Sequence, residues 1–231
     1  AMTAQLHCFG ESGHSYKVAL MMQLTGYPWQ PVFVDFFGGA TRSPDYRALN
    51  EMAEAPVLVE DGRTLTQSGV ILLHLAQRTG RFMEGDREEI LRWLFWDNHK
   101  GSAQFGTLRF LMNFLAPEKR PAEVIGWMQG RARAALKTLD GHLATRNWLA
   151  GESATIADLS CCSYLFYPEP FGFDRKDWPY VNRWLDAISA LPAQSLLTGT
   201  GAELFEAFGP RARRLSVTKV EGRSQAVEQG G

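Results

Sequence analysis

The chain has 231 residues, of which 45% are apolar and 21% are charged, and its formal net charge is −1 at pH 7. This is the composition of a globular protein long enough to bury a sizeable core in one or two domains. The near-neutral charge gives no indication of a nucleic-acid or anionic-membrane partner, and no apolar run approaches the roughly 20 residues that span a bilayer.

The first 80 residues predict a small mixed sheet with helices on both faces. Alternating polar and apolar residues indicate strands, and apolar residues at 3.6-residue spacing indicate helices. The predicted elements are a strand at 5–9, a helix at 16–26, a strand at 28–35, a helix at 44–49, strands at 57–59 and 64–65, and a helix from 69 towards 80. This order is βαβαββα.

The stretch 50–68 contains the clearest local signals. Pro56 opens a short apolar run, Asp61 and Gly62 form a two-residue turn signal, and an X-Pro bond at such a bend can be cis. Gln67 and Ser68 then precede a helical pattern, with Ser68 as a natural N-cap. A carboxylate binds well beside the free N–H groups of such a helix start, although a capped helix after a hairpin explains the same residues without a ligand.

Beyond Gly80 the sequence predicts helices only, after a polar connector at 81–86. The helical patterns lie at 87–115 (bent near Gly101 or Gly106), 121–145, 159–166, 180–191 and 204–208. Thr155 and Asp158 have the spacing of a capping box before the third of these. We therefore expect domains at 1–80 and 87–208, a linker at 81–86 and a polar tail at 209–231.

Four motifs follow one another along the chain. They are the segment 50–56 (N-E-M-A-E-A-P), the Gln67-Ser68 pair, the capping segment 149–158 and the aromatic segment 178–184. In this order they resemble the motifs of the soluble glutathione transferase family, which has N-P-x-G-x-V-P at the first of them. The resemblance runs from residue 6 to about 208. It implies an α/β thioredoxin-like N-terminal domain followed by an all-α helical bundle.

The same resemblance places a catalytic serine in the loop after the first strand. Ser12 matches the serine that stabilises the thiolate of glutathione, whereas Ser15 is expected only to cap the following helix. A free thiol has a pKa of roughly 8.5, and a hydroxyl donor at a helix N-terminus lowers that pKa because both stabilise the anion. Helix capping is the alternative role for Ser12.

The resemblance also implies a glutathione-binding set that includes the hairpin. Gln67 and Ser68 would take the carboxylate and amine of the γ-glutamyl group, and the backbone of Ala55, held by Pro56, would pair with the cysteinyl part. Two residues depart from the pattern. Gln67 is neutral where the family often has an acid, and the acidic Glu54 is unhelpful for the glycyl carboxylate.

A second substrate is expected beside Ser12 and the helix that starts near residue 87. Trp96, His99 and the neighbouring Lys100 are close enough to share a helix face, and His14 would border the pocket from the first domain. The aromatic character suits an apolar electrophilic small molecule. Core or dimer packing is the alternative for Trp96, and a surface or capping role is the alternative for His99.

The expected function is transfer of the glutathione thiolate to an electrophile, with glutathione as co-substrate. The alternatives are a glutathione-dependent disulfide reductase, peroxidase or isomerase, and a non-catalytic binding protein. The three cysteines have no metal-site spacing, and none lies in the loop of Ser12. We therefore expect no metal, a reducing cytoplasm and, from the resemblance, a homodimer.

Overall fold

A computed structural model describes residues 3–192. Its described residues form two compact units, one reaching Gly80 and the other running from Arg81 to Leu191. The predicted helix at 204–208 and the polar tail at 209–231 lie outside the described residues.

The first unit has the predicted βαβαββα order. Its elements are β1 (Ala4–Cys8), α1 (Gly13–Thr25), β2 (Trp29–Phe33), α2 (Pro44–Leu49), β3 (Val57–Glu60), β4 (Arg63–Thr66) and α3 (Ser68–Thr79). The sheet order is β2-β1-β3-β4, with β1 parallel to β2 and antiparallel to β3. This arrangement confirms the predicted thioredoxin-like domain.

Strand β1 lies in the interior because it has a sheet neighbour on both sides. Leu6 is fully buried and sits opposite Pro31 of β2 and Leu58 of β3. The next helix, α1, is buried along almost its whole length, so its apolar residues face more than one neighbour. The loop between β1 and α1 is therefore held at both ends by core elements.

The hairpin of β3 and β4 follows from its turn residues. Asp61 and Gly62 both have positive φ, 47° and 74°, as a two-residue hairpin turn of the primed type requires. Glu60 and Arg63 close the ladder as partners. On the entry side, the Ala55–Pro56 peptide bond is cis.

A buried carboxylate ties the far end of this hairpin to its surroundings. Glu60 accepts a 2.6 Å hydrogen bond from the Tyr27 hydroxyl and a further bond from Nε2 of His74, while Arg78 lies nearby. Burial alone would raise the pKa of Glu60, but these donors and charges together hold it below its ordinary value. The cluster joins β3, the segment after α1, and α3.

The second unit is helical throughout the described residues. Its helices are α4 (Arg87–His99), α5 (Ser102–Asn113), α6 (Ala122–Leu143), α7 (Ile156–Cys161) and α8 (Pro179–Ser189), with short 3₁₀ turns between some of them. This confirms the predicted all-α domain. The predicted helix at 159–166 is wrong as a continuous α-helix. The α-helix α7 ends at Cys161, and a separate 3₁₀ turn follows from Ser163.

The predicted helix at 87–115 breaks at Gly101, one of the two glycines proposed for a bend. Asp97 is buried and accepts hydrogen bonds from the backbone N–H and the hydroxyl of Ser102, at 2.9 and 2.7 Å. A Cβ on Gly101 would lie 2.6 Å from the Asp97 carboxylate, so only glycine fits. At Gly106 the helix continues, and the missing side chain makes room for the ring of Tyr164.

Asp158 organises the second unit from inside. Its carboxylate accepts hydrogen bonds from the backbone N–H groups of Leu149 and Thr155, the Thr155 hydroxyl and the Trp184 indole, at 2.9, 2.8, 3.3 and 2.8 Å. The predicted capping box is therefore present. Among residues 3–192, no helix combines the length and apolar character that crossing a membrane requires.

Candidate active site

Ser12 is the N-cap of α1. Its backbone is extended, with φ −85° and ψ 112°, and its Oγ accepts a 3.1 Å hydrogen bond from the backbone N–H of Ser15. The expectation that Ser15 caps this helix is wrong, because Ser15 already lies inside the first turn. Its own Oγ is fully buried, with no hydrogen-bond partner in the described part of the chain.

Capping occupies only part of the hydrogen-bonding capacity of Ser12. A serine hydroxyl has one donor and two acceptor lone pairs, and the helix uses one lone pair. Within residues 3–192, the structure gives the Ser12 O–H no acceptor. An anion at this point would receive the O–H bond and would also lie at the positive end of the helix dipole. Capping and anion stabilisation are thus compatible at Ser12.

The start of α3 differs from the expectation that Ser68 is its N-cap. The helix already begins at Ser68, and Gln67, with φ 68° and ψ 116°, precedes it without a side-chain capping bond. Such a backbone conformation is sparsely populated for a non-glycine residue and is concentrated at functional sites. Ser68 is in the first turn, so its hydroxyl is not used to cap the helix.

The hydroxyl of Ser68 instead meets His14. A hydrogen bond of 3.3 Å joins the Ser68 Oγ and the His14 Nδ1, across 54 residues of sequence. His14 lies in the first turn of α1, so the contact brings the starts of α1 and α3 together. The expected position of His14 beside a second substrate stays a prediction, and the structure adds its contact with Ser68. Two helix N-termini that converge in this way form a site suited to an anion.

The loop before Pro56 is fixed by two buried side chains. The Tyr46 hydroxyl and the Asn50 amide both donate to the backbone carbonyl of Glu54, at 2.8 and 2.9 Å. The Ala55 peptide follows, half-buried, with no hydrogen-bond partner in the described region. An extended ligand could therefore pair with this backbone.

The side chain of Gln67 points towards the same loop. Its Nε2 donates a 2.8 Å hydrogen bond to Oε2 of Glu54 and lies 3.1 Å from the Met52 sulfur. The sequence contained no signal for this contact, because 13 residues and a hairpin separate the partners. The Gln67 amide and the Glu54 carboxylate thus lie together beside the start of α3.

The remaining predicted residues lie in the second unit. Trp96 lines a cavity of about 280 Å³ whose wall also includes two cations, Lys100 and Arg131. His99 is exposed and is not among the lining residues, and its backbone carbonyl accepts a 3.1 Å hydrogen bond from Gln104. Trp96 and His99 lie three residues apart on α4, and the role of either residue towards a second substrate stays a prediction.

Comparison with protein families identifies both units. Residues 4–77 match the family described as the glutathione S-transferase N-terminal domain, and residues 109–192 match the glutathione S-transferase C-terminal domain. The chain belongs to the glutathione S-transferase family. The order of the two matches agrees with the two units of the fold.

Relatives of this transferase-family protein have names that refer to different activities. It is 27% identical to the disulfide-bond oxidoreductase YfcG of Escherichia coli over 82% of this chain and 93% of the relative. It is 28% identical to the maleylacetoacetate isomerase of Pseudomonas aeruginosa over 82% of this chain and 92% of the relative. A crystal structure of a possible glutathione S-transferase from Rhodopseudomonas palustris is 31% identical, with a TM-score of 0.77 over 82% of this chain and 87% of that one.

Proposed function

We propose that this protein is a transferase that binds reduced glutathione and adds its thiolate to an electrophilic carbon of a small apolar molecule. The observation that carries the proposal is Ser12, which caps α1 through an acceptor lone pair and keeps its O–H for an anion. The glutathione thiol loses its proton to solvent on binding. The sulfur lone pair then forms the new C–S bond, while the electrophile releases its leaving group or takes up the electron pair.

The rest of glutathione has a place in the same unit. Its γ-glutamyl carboxylate would lie at the N-terminus of α3, where Ser68 donates a hydrogen bond and the helix dipole favours an anion. The Ala55 peptide, fixed by the loop before Pro56, would pair with the cysteinyl backbone. Gln67 would contact the γ-glutamyl group from the side.

Replacing Ser68 by alanine should weaken the binding of glutathione about tenfold or more, because a hydrogen bond to a charged group contributes roughly 1.5–3 kcal/mol. Isothermal titration calorimetry with reduced glutathione measures the change. Ser189→Ala is the control, since it removes the hydroxyl that donates to Leu185 within α8. Equal affinities for wild type and Ser68→Ala would contradict the role of Ser68. No binding by the wild type at millimolar glutathione would contradict the proposed function.

A second candidate is a glutathione-dependent disulfide reductase, which the similarity to YfcG favours. The protein's own thiols do not suit this chemistry. Cys8, Cys161 and Cys162 are all buried, and burial raises the pKa of Cys8 well above its ordinary value. A reductase would therefore use thiols of glutathione alone. Comparing turnover of an electrophile with turnover of a mixed disulfide at equal glutathione separates the two candidates.

We also propose that the protein works as a homodimer in the cytoplasm. Free, buried cysteines suit a reducing compartment. Phe95 on α4 is 74% exposed and Val70 on α3 is 49% exposed, so each unit has an apolar side chain available for a partner. Light scattering at micromolar concentration should give twice the chain mass of 25.9 kDa. A mass of one chain would contradict the dimer.

A further inference from the structure

We propose that Glu54, together with Gln67, binds the α-ammonium group of the γ-glutamyl residue of glutathione. This proposal rests on the proposed function and adds a specificity-determining residue to it. The observation behind it is the 2.8 Å hydrogen bond between the Gln67 amide and the Glu54 carboxylate beside the start of α3.

The ligand requires a negative partner at this point. The γ-glutamyl end of glutathione has a carboxylate and an ammonium group on the same carbon, so a site that holds the first brings the second within a few ångströms. The helix N-termini that attract the carboxylate disfavour the ammonium, because both present partial positive charge. Gln67 is neutral and cannot balance this charge by itself.

The geometry of the pair fixes what each side chain offers. A carboxylate only accepts hydrogen bonds, so the Gln67 atom that bonds to Glu54 is the amide nitrogen. The amide oxygen of Gln67 then remains as an acceptor for a cation. Glu54 contributes a negative charge. It also has acceptor capacity left for the ammonium, because an ionised carboxylate accepts about four hydrogen bonds and the bond to Gln67 uses one.

The backbone of Glu54 is also held in position before any ligand arrives, while its side chain is exposed. Its backbone carbonyl accepts hydrogen bonds from Tyr46 and Asn50, which are only 9% and 4% exposed. The loop is therefore fixed, and the bond to Gln67 orients the side chain. A pre-organised partner loses less conformational entropy on binding. The sequence suggested that this acid is unhelpful, but that conclusion concerned the glycyl carboxylate. The structure places Glu54 beside Gln67, the residue proposed to contact the γ-glutamyl group.

The test combines a change in the protein with a change in the ligand. Affinities are measured by calorimetry for wild type and Glu54→Gln, with reduced glutathione and with its deamino analogue, which keeps the carboxylate but lacks the ammonium. Glu54→Gln should weaken the binding of glutathione about fivefold, as for a solvent-exposed ion pair, and should leave the affinity for the analogue unchanged. Glu51→Gln, which removes an exposed acid from the same loop, should leave both affinities unchanged.

Three results would overturn the proposal, and they can be told apart. An equal loss for both ligands would mean that Glu54 only positions Gln67. No loss for either ligand would mean that Glu54 has no role in binding. If the wild type binds neither ligand, the proposed function fails, and this proposal fails with it. Thermal unfolding of each variant shows that the comparison concerns folded protein.

Discussion

Ser12→Ala is expected to lower kcat/KM for conjugation of glutathione with a model electrophile by about 100-fold or more. The change removes the O–H donor that we propose stabilises the thiolate, and loss of one donor to a developing or bound anion costs about 10²–10³ in rate. Steady-state kinetics across a pH range measure the effect. The loss should be largest near neutral pH, because the thiol of the variant ionises only at higher pH.

The same substitution removes the cap of α1, so catalysis and stability have to be separated. Loss of a serine N-cap costs about 1 kcal/mol of unfolding free energy. Ser12→Asp keeps an acceptor for the Ser15 N–H but has no donor when ionised, so this variant should be stable and inactive. Ser15→Ala, which removes the buried hydroxyl without a partner, should keep most of the activity. Wild-type activity in Ser12→Asp would contradict a donor role for Ser12.

Asp158→Ala is expected to have the largest effect on stability, a loss of about 3–5 kcal/mol in the free energy of unfolding of the second unit. The change leaves the N–H groups of Leu149, Thr155 and Trp184 buried without their acceptor, and each such group costs about 1–3 kcal/mol. Urea unfolding followed by tryptophan fluorescence measures the loss.

The control for Asp158 is an acid in the same segment that lies in solvent. Glu152 is exposed, so Glu152→Ala should change the free energy of unfolding by no more than about 0.5 kcal/mol. Trp184→Phe removes a single donor to Asp158, so its loss of unfolding free energy should lie between those of Asp158→Ala and Glu152→Ala. A stability of Asp158→Ala within about 1 kcal/mol of wild type would contradict the central role of this carboxylate.

Features that depend on neighbouring residues could be predicted from the sequence. The turn at Asp61 and Gly62 and the capping box of Thr155 and Asp158 are examples, because their hydrogen bonds join residues only a few positions apart. The order of strands and helices followed from apolar periodicity in the same way. The position of the helix break could be narrowed only to Gly101 or Gly106. The choice between them depends on the hydrogen bonds of the buried Asp97, which no sequence pattern indicated.

The contacts that build the candidate site were beyond sequence reasoning. The bond between His14 and Ser68 joins the starts of two helices, and the bond between Glu54 and Gln67 crosses a hairpin, so both depend on the tertiary fold. The family pattern indicated Ser68 as a binding residue, but only the structure showed that its hydroxyl is not a helix cap. The charge of Glu54 could not be interpreted until its neighbour was known.

The most direct test of the proposed mechanism is the pKa of the thiol of glutathione bound to the protein. Ultraviolet absorbance of the thiolate, recorded against pH with wild type and with Ser12→Asp, gives this value. We expect the pKa in the wild-type complex to fall clearly below the roughly 8.5 of a free thiol, and the pKa in the variant complex to stay at or above it. An unshifted pKa in the wild-type complex would contradict the assignment of Ser12 as the group that stabilises the thiolate.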